Sequence, residues 1–258
     1  IIGVSHGSLD HIKGKKLLQI LKVNNMSIFY FIYLLIAISI SIFWIFFPAT
    51  TLIFFLIVAS YHFGKEDTQF LVDANSFLNQ LLFFFKGFLI ILAPLFFHFD
   101  ETINIFKLLL IENEIFYLSL SFIEDNKILN TAIVLSTLSS IFLFLRKFEM
   151  KKFIIFLDYF SIIIVNFYFN PLVAFTIYFC FLHSIRHSIS LIFELDHESL
   201  INGLLIFIKK ALPLTILTAT FCLIGLYFLN KNYGFDSSIL KLIFIGLASL
   251  TFPHILLE

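Results

Sequence analysis

Histidine is the residue type whose placement in this sequence could do chemistry. There are eight, and six fall in short motifs: His6-Gly7-Ser8-Leu9-Asp10-His11, Ser60-Tyr61-His62-Phe63-Gly64-Lys65-Glu66-Asp67, His183-Ser184-Ile185-Arg186-His187, and Pro253-His254. Imidazole titrates near neutrality and is a common metal ligand, so in apolar surroundings it usually has a partner. His6 and Asp10 are four residues apart, as are His183 and His187. On an α-helix that spacing shares a face, which lets two imidazoles of one helix reach one metal. A set of imidazoles with few carboxylates suits iron, zinc or copper. Asp10 and Asp67 could each fix the tautomer of a neighbouring histidine through an outer hydrogen bond. Equally, they could cap helix ends at the water boundary. A histidine taken alone is more often a hydrogen-bonded helix residue than a ligand, and His98 and His197 read as interfacial residues with no role. Arg186 needs an anionic or carbonyl partner and reads as structural.

The elements that must position these residues are membrane helices. The chain is 60% hydrophobic and only 13% charged, with a mean hydropathy of +1.01, whereas a soluble domain is about 25% charged. Formal net charge is zero, so nothing draws the chain to nucleic acid. Cys180 and Cys222 both lie in apolar runs and support neither a disulfide framework nor a thiolate metal site. The 38 phenylalanines, with the heavy use of Ile, Leu, Lys and Asn, read as a genome's composition rather than an aromatic function. The sequence begins at Ile1, so a short N-terminal piece is expected to be missing just before the first motif.

Crossing about 30 Å of hydrocarbon takes roughly 20 residues. Apolar runs predict spans near 27–47, 49–64, 76–98, 129–146, 152–169, 171–193, 211–229 and 238–257. The expected fold is therefore all-α: one polytopic transmembrane bundle over 1–258, of about eight spans plus an N-terminal helical piece, without internal repeats. The run 102–122 carries Lys107, Glu112 and Glu114 and is expected to be interfacial, because charges at mid-membrane are costly. Loop charge supports this. Lys13, Lys15, Lys16 and Lys22 place the first loop inside, and Arg146, Lys147, Lys151, Lys152, Lys209 and Lys210 also fall inside only if 102–122 does not cross. That count puts all four histidine motifs in the cytoplasmic half of the membrane and His98 on the other side.

Taken in order, the motifs resemble those of the Brp/Blh family of membrane β-carotene 15,15′-dioxygenases: His-Gly-x-x-Asp-His at 6–11, Ser60-Tyr61-His62-Phe63-Gly64 with Asp67, His-x-x-x-His with Arg186 before the second histidine, and Pro253-His254. Each motif alone is weak, but four in order along a chain of this length and hydropathy are specific. Ser8 departs from the small apolar residue expected there. The resemblance implies a non-haem Fe(II) enzyme that cleaves the central double bond of β-carotene with O2 into two molecules of retinal. It implies iron ligands at His6, His62, His183 and His187, with no catalytic residue beyond them. His11 and His254 also match motif positions. The setting implied is a multi-pass protein of the cell (inner) membrane, with a retinal-binding rhodopsin as a candidate acceptor of the product.

A lipid-soluble polyene suits walls rich in Phe and Ile, which hold it by area burial and dispersion, although most of these side chains are expected to face lipid. Two other readings compete. A di-iron desaturase or hydroxylase needs about eight clustered histidines with adjacent pairs, and no two are adjacent here. A haem-binding electron carrier needs ligands on facing helices, and a transporter usually shows repeats and broken helices.

Overall fold

The computed structural model describes residues 7–72, 76–145 and 149–257, and these are helical with no strand among them. His6 lies outside the described residues, as do Arg146 and Lys147. In chain order the helices are α1 (Asp10–Ile20), α2 (Met26–Phe46), α3 (Pro48–Glu66), α4 (Phe77–Phe97), α5 (Phe99–Leu108), α6 (Glu114–Asp125), α7 (Ile128–Leu145), α8 (Phe153–Tyr168), α9 (Pro171–Ile177), α10 (Ile185–Leu195), α11 (Leu200–Asn230) and α12 (Phe235–Ile255). A π-helical stretch, Tyr178–Ser184, joins α9 to α10.

Each expected span is a helix, but a count of about eight crossings is not confirmed. Among the described residues, six helices are long and apolar enough to cross a membrane: α2, α4, α7, the 25-residue run Pro171–Leu195, α11 and α12. This is a membrane protein by that measure. Of the other two, α8 is shorter, at 16 residues, and α3 ends in the polar turn that carries His62, Lys65 and Glu66. The run 102–122 is divided between α5 and α6, of 10 and 12 residues, and neither is long enough to cross. Lys107, Glu112 and Glu114 are exposed there. The Tyr117 hydroxyl of α6 donates to the Ile111 carbonyl at 2.7 Å, and desolvation pushes its pKa up to about 12.

Helix starts follow local chemistry. Asn25 and Asn170 cap α2 and α9 by accepting from the Ser27 and Val173 amides, and Pro48 and Pro171 open α3 and α9, where the missing N–H costs nothing. The last but one helix differs from expectation: α11 begins at Leu200, not near 211. Ser199 caps it, and the exposed Lys209 and Lys210 end the apolar stretch without ending the helix.

The chain forms two compact units. One is Ile1–Thr51, Leu108–Leu110 and Ser184–Glu258; the other is Leu52–Lys107 and Ile111–His183. In the first, α2 packs on α1 and α12, and α11 on α10 and α12. Ser41 and Ser249 hydrogen-bond at 2.8 Å between α2 and α12, and the fully buried Trp44 donates to the Leu109 carbonyl. In the second, α4 is central and packs on α7, α8 and α9, around Phe83, Leu143 and Ile155.

Within that second unit α3 meets α4 backbone to backbone. A Cβ on Gly64 would overlap the Phe83 carbonyl, and one on Gly87 would overlap the Ser60 carbonyl. Small residues allow such an approach between membrane helices. Gly64→Ala is therefore expected to force α3 from α4 and lower stability by about 1–3 kcal/mol, read as a depressed melting temperature in detergent. An unchanged melting temperature would contradict this packing.

Candidate metal centre

In the second unit, α3 carries His62 in its last turns, and Asp67 follows its final residue, Glu66. Both are buried, at 2% and 3% exposure. A carboxylate past a helix C-terminus opposes the helix dipole and cannot act as an N-cap, so its burial needs other partners. Tyr178 supplies one, donating its hydroxyl to Asp67 Oδ2 at 2.6 Å. His183 Nδ1 lies 3.1 Å from Oδ1 of the same carboxylate. The His183 ring is 5.5 Å from that of His62 and 4.8 Å from that of Phe63, both nearly edge to face. His183 belongs to the π-helical stretch, so the α-helical rule that residues four apart share a face does not hold through its turn.

The first unit repeats the arrangement with other elements. Asp10 is the first residue of α1 and is buried. The N-cap position belongs to Leu9, which makes no side-chain cap, and the Asp10 carboxylate turns inward instead. Oδ2 accepts from the Tyr33 hydroxyl at 2.8 Å, and Oδ1 lies 2.8 Å from His254 Nδ1. His254 sits in the last turn of α12. The ring of the buried His187, on α10, is 5.6 Å from that of His254 at a steep angle. His11 is half-buried, and its Nδ1 bonds the Ser8 carbonyl at 3.1 Å, within its own helix start.

The chain matches the model of the family described as beta-carotene 15,15′-dioxygenase over residues 1–258. It belongs to that family. It is also 29% identical, over 265 residues, to the beta-carotene 15,15′-dioxygenase of an uncultured marine bacterium (66A03), an alignment covering 99% of this chain and 88% of the relative. No solved structure matches the chain.

For a member of the dioxygenase family, the two sets of side chains can be tested against a metal by their donor chemistry. A phenol can only donate to a carboxylate, and the facing Nδ1 then donates as well, which puts the imidazole lone pair on Nε2. Imidazoles held by carboxylates in this way are the usual form of histidine ligands. Among the described residues, the buried Nε2 atoms of His183 and His254 find no hydrogen-bond partner. This chemistry fits a divalent iron, zinc or copper ion. Among the described residues, however, no group of three or more His, Cys, Asp or Glu is close enough to hold an ion. Each unit supplies a pair, His62 with His183 and His187 with His254, and His6 lies outside the described residues.

The histidines set aside have other surroundings. His98 Nε2 bonds the Asn166 carbonyl at 2.8 Å, tying the end of α4 to α8. His197 is exposed in the turn before α11. Its neighbour Asp196 has its acidity strengthened by the Asn202 amide and by the Ser199 and Glu198 backbone N–H groups. Two features had no signal in the sequence. One is Tyr178 and, with it, Tyr33 in the first unit. The other is the buried pair of Lys86 on α4 and Asp158 on α8, 3.7 Å apart.

Proposed function

We propose that this chain is an iron-dependent β-carotene 15,15′-dioxygenase of a cell membrane, in which His6, His62, His183 and His187 hold the iron. Membership of the family over the whole chain supports the reaction, and the single structural observation that carries the site is the buried histidine held through Nδ1 by an aspartate, in both units. A bound Fe(II) would supply the activation of O2 that cleaves the central double bond into two molecules of retinal.

The chain's own residues do the rest. Asp67 accepts from His183 and holds its ring in one tautomer and one orientation. Burial of His62, His183 and His187 limits the access of water to the imidazoles. Phe63, stacked edge-on against His183, adds to the apolar wall that a polyene needs, and placing its central bond is the main demand on that wall. His254, held by Asp10 as His183 is held by Asp67, is the favoured further ligand. His11, bonded to the Ser8 carbonyl, is not. Retinal released into the bilayer would be available to a retinal-binding rhodopsin.

Cells that make β-carotene test the reading directly. Expression of the chain should bleach their yellow-orange colour and yield retinal by chromatography. Apocarotenals of other lengths in place of retinal would overturn central cleavage.

A further inference from the structure

We infer that Tyr178 and Tyr33 are positioning residues, each within its own unit: each pins one oxygen of an aspartate whose other oxygen holds a histidine Nδ1, so that Nε2 of His183 and of His254 is the nitrogen offered for coordination. The inference rests on the reading of these histidines as metal ligands. The same three-membered chain of Tyr hydroxyl, Asp carboxylate and His Nδ1 occurs twice. It is assembled from unrelated elements: a π turn and the residue after α3 in one unit, and α2, the start of α1 and the end of α12 in the other.

The backbone at Tyr178 is adapted to this task. Tyr178 and His183 are five residues apart, and on an ideal α-helix their side chains would point about 140° apart. The stretch Tyr178–Ser184 is π-helical instead, and its wider i→i+5 turn brings residues five apart much closer to one face. The two rings accordingly stack, with centroids 6.0 Å apart and planes 26° from parallel, and both reach Asp67. An α-helix could have delivered only one of them. A π turn forgoes regular hydrogen bonding and is frequent at functional sites.

The hydroxyl does more than satisfy a buried acid. A carboxylate with both oxygens engaged is fixed in rotation, and the imidazole bonded to it is fixed in turn. Without the hydroxyl, the carboxylate is free to rotate and its hold on the Nδ1 proton weakens. Loss of such outer partners typically costs ten- to a hundredfold in metal affinity.

The test uses full-length apoprotein in detergent micelles, labelled with ¹⁵N-histidine and titrated separately with Co(II). In the wild type, His183 and His254 should carry the ring proton on Nδ1. Tyr178→Phe keeps the ring and should leave the melting temperature within a few degrees. It should give His183 a mixture of tautomers, leave His254 as it was, and weaken Co(II) binding about tenfold, with Asp67→Asn weakening it further. Tyr33→Phe should do the same to His254 alone, and it carries the test if Tyr178→Phe does not fold. Unchanged tautomers in both Tyr→Phe variants would overturn the positioning role. A wild type that takes up no Co(II) would sink the metal reading instead, while the nitrogen spectra would still judge the tyrosines.

Discussion

Replacing His183 with alanine is expected to abolish retinal formation, a loss of more than about 100-fold, since even outer partners of a metal ligand cost ten- to a hundredfold. The same protein should lose bound iron. His183 is 1% exposed and lies against His62, Phe63 and Asp67, so its removal also takes a hydrogen bond from a buried carboxylate, worth about 1–3 kcal/mol of stability. His183→Gln separates the two effects. It fills more of the space and can still donate to Asp67, so it should recover much of the stability and none of the activity. Retinal by chromatography, iron by mass spectrometry and a melting curve on each variant make the check. Purified His183→Ala that still forms retinal at the wild-type rate would remove His183 from the ligand set.

Lys86→Met is expected to cost about 3–5 kcal/mol of stability, because it leaves the Asp158 carboxylate buried without the ammonium that compensates it. The side chains are 4% and 7% exposed and 3.7 Å apart, on two helices of the apolar unit core, where a charge without its counter-charge is most expensive. The double variant Lys86→Met/Asp158→Leu should recover most of the loss, since apolar replacements of both members of a buried pair are often neutral or stabilising. Because the pair is not part of the histidine site, retinal formation by the double variant should stay within a few-fold of wild type. Thermal unfolding in detergent decides the matter: a single variant that melts with the wild type would mean the pair contributes little.

How far the sequence anticipates this molecule depends on what each feature is made of. Hydropathy locates helices well: α2 (Met26–Phe46) and α4 (Phe77–Phe97) fall within a residue of the runs 27–47 and 76–98. The charges of 102–122 mark the place where two short helices replace a span. Hydropathy is poorer at counting crossings, because it reports how apolar a stretch is and not where the helix ends. That is why α11 runs eleven residues further upstream than its apolar core, through Lys209 and Lys210, and why α3 is helical through a polar turn.

Asp10 and Asp67 were legible as candidate partners of histidines, but the histidines they hold were not: His254 and His183 are far from them along the chain, beyond any local spacing. What Asp10 and Asp67 do was not legible either. Capping and orienting a histidine look the same in sequence, and only burial against Tyr33 with His254, and against Tyr178 with His183, distinguishes them. The π turn had no local signature either. It changes the face on which His183 stands, which makes the simple i, i+4 argument for His183 and His187 a guide to the motif and not to its geometry.

The central claim is that this chain cleaves β-carotene at its middle with a histidine-bound iron. It is tested most directly by incubating the purified, metal-stripped protein with β-carotene and O2, with and without added Fe(II), and separating the products. Two molecules of retinal are expected for each β-carotene consumed, and only when Fe(II) is present. Retinal formed at the same rate without iron, or carotene left intact with it, would rule out iron-dependent central cleavage by this chain.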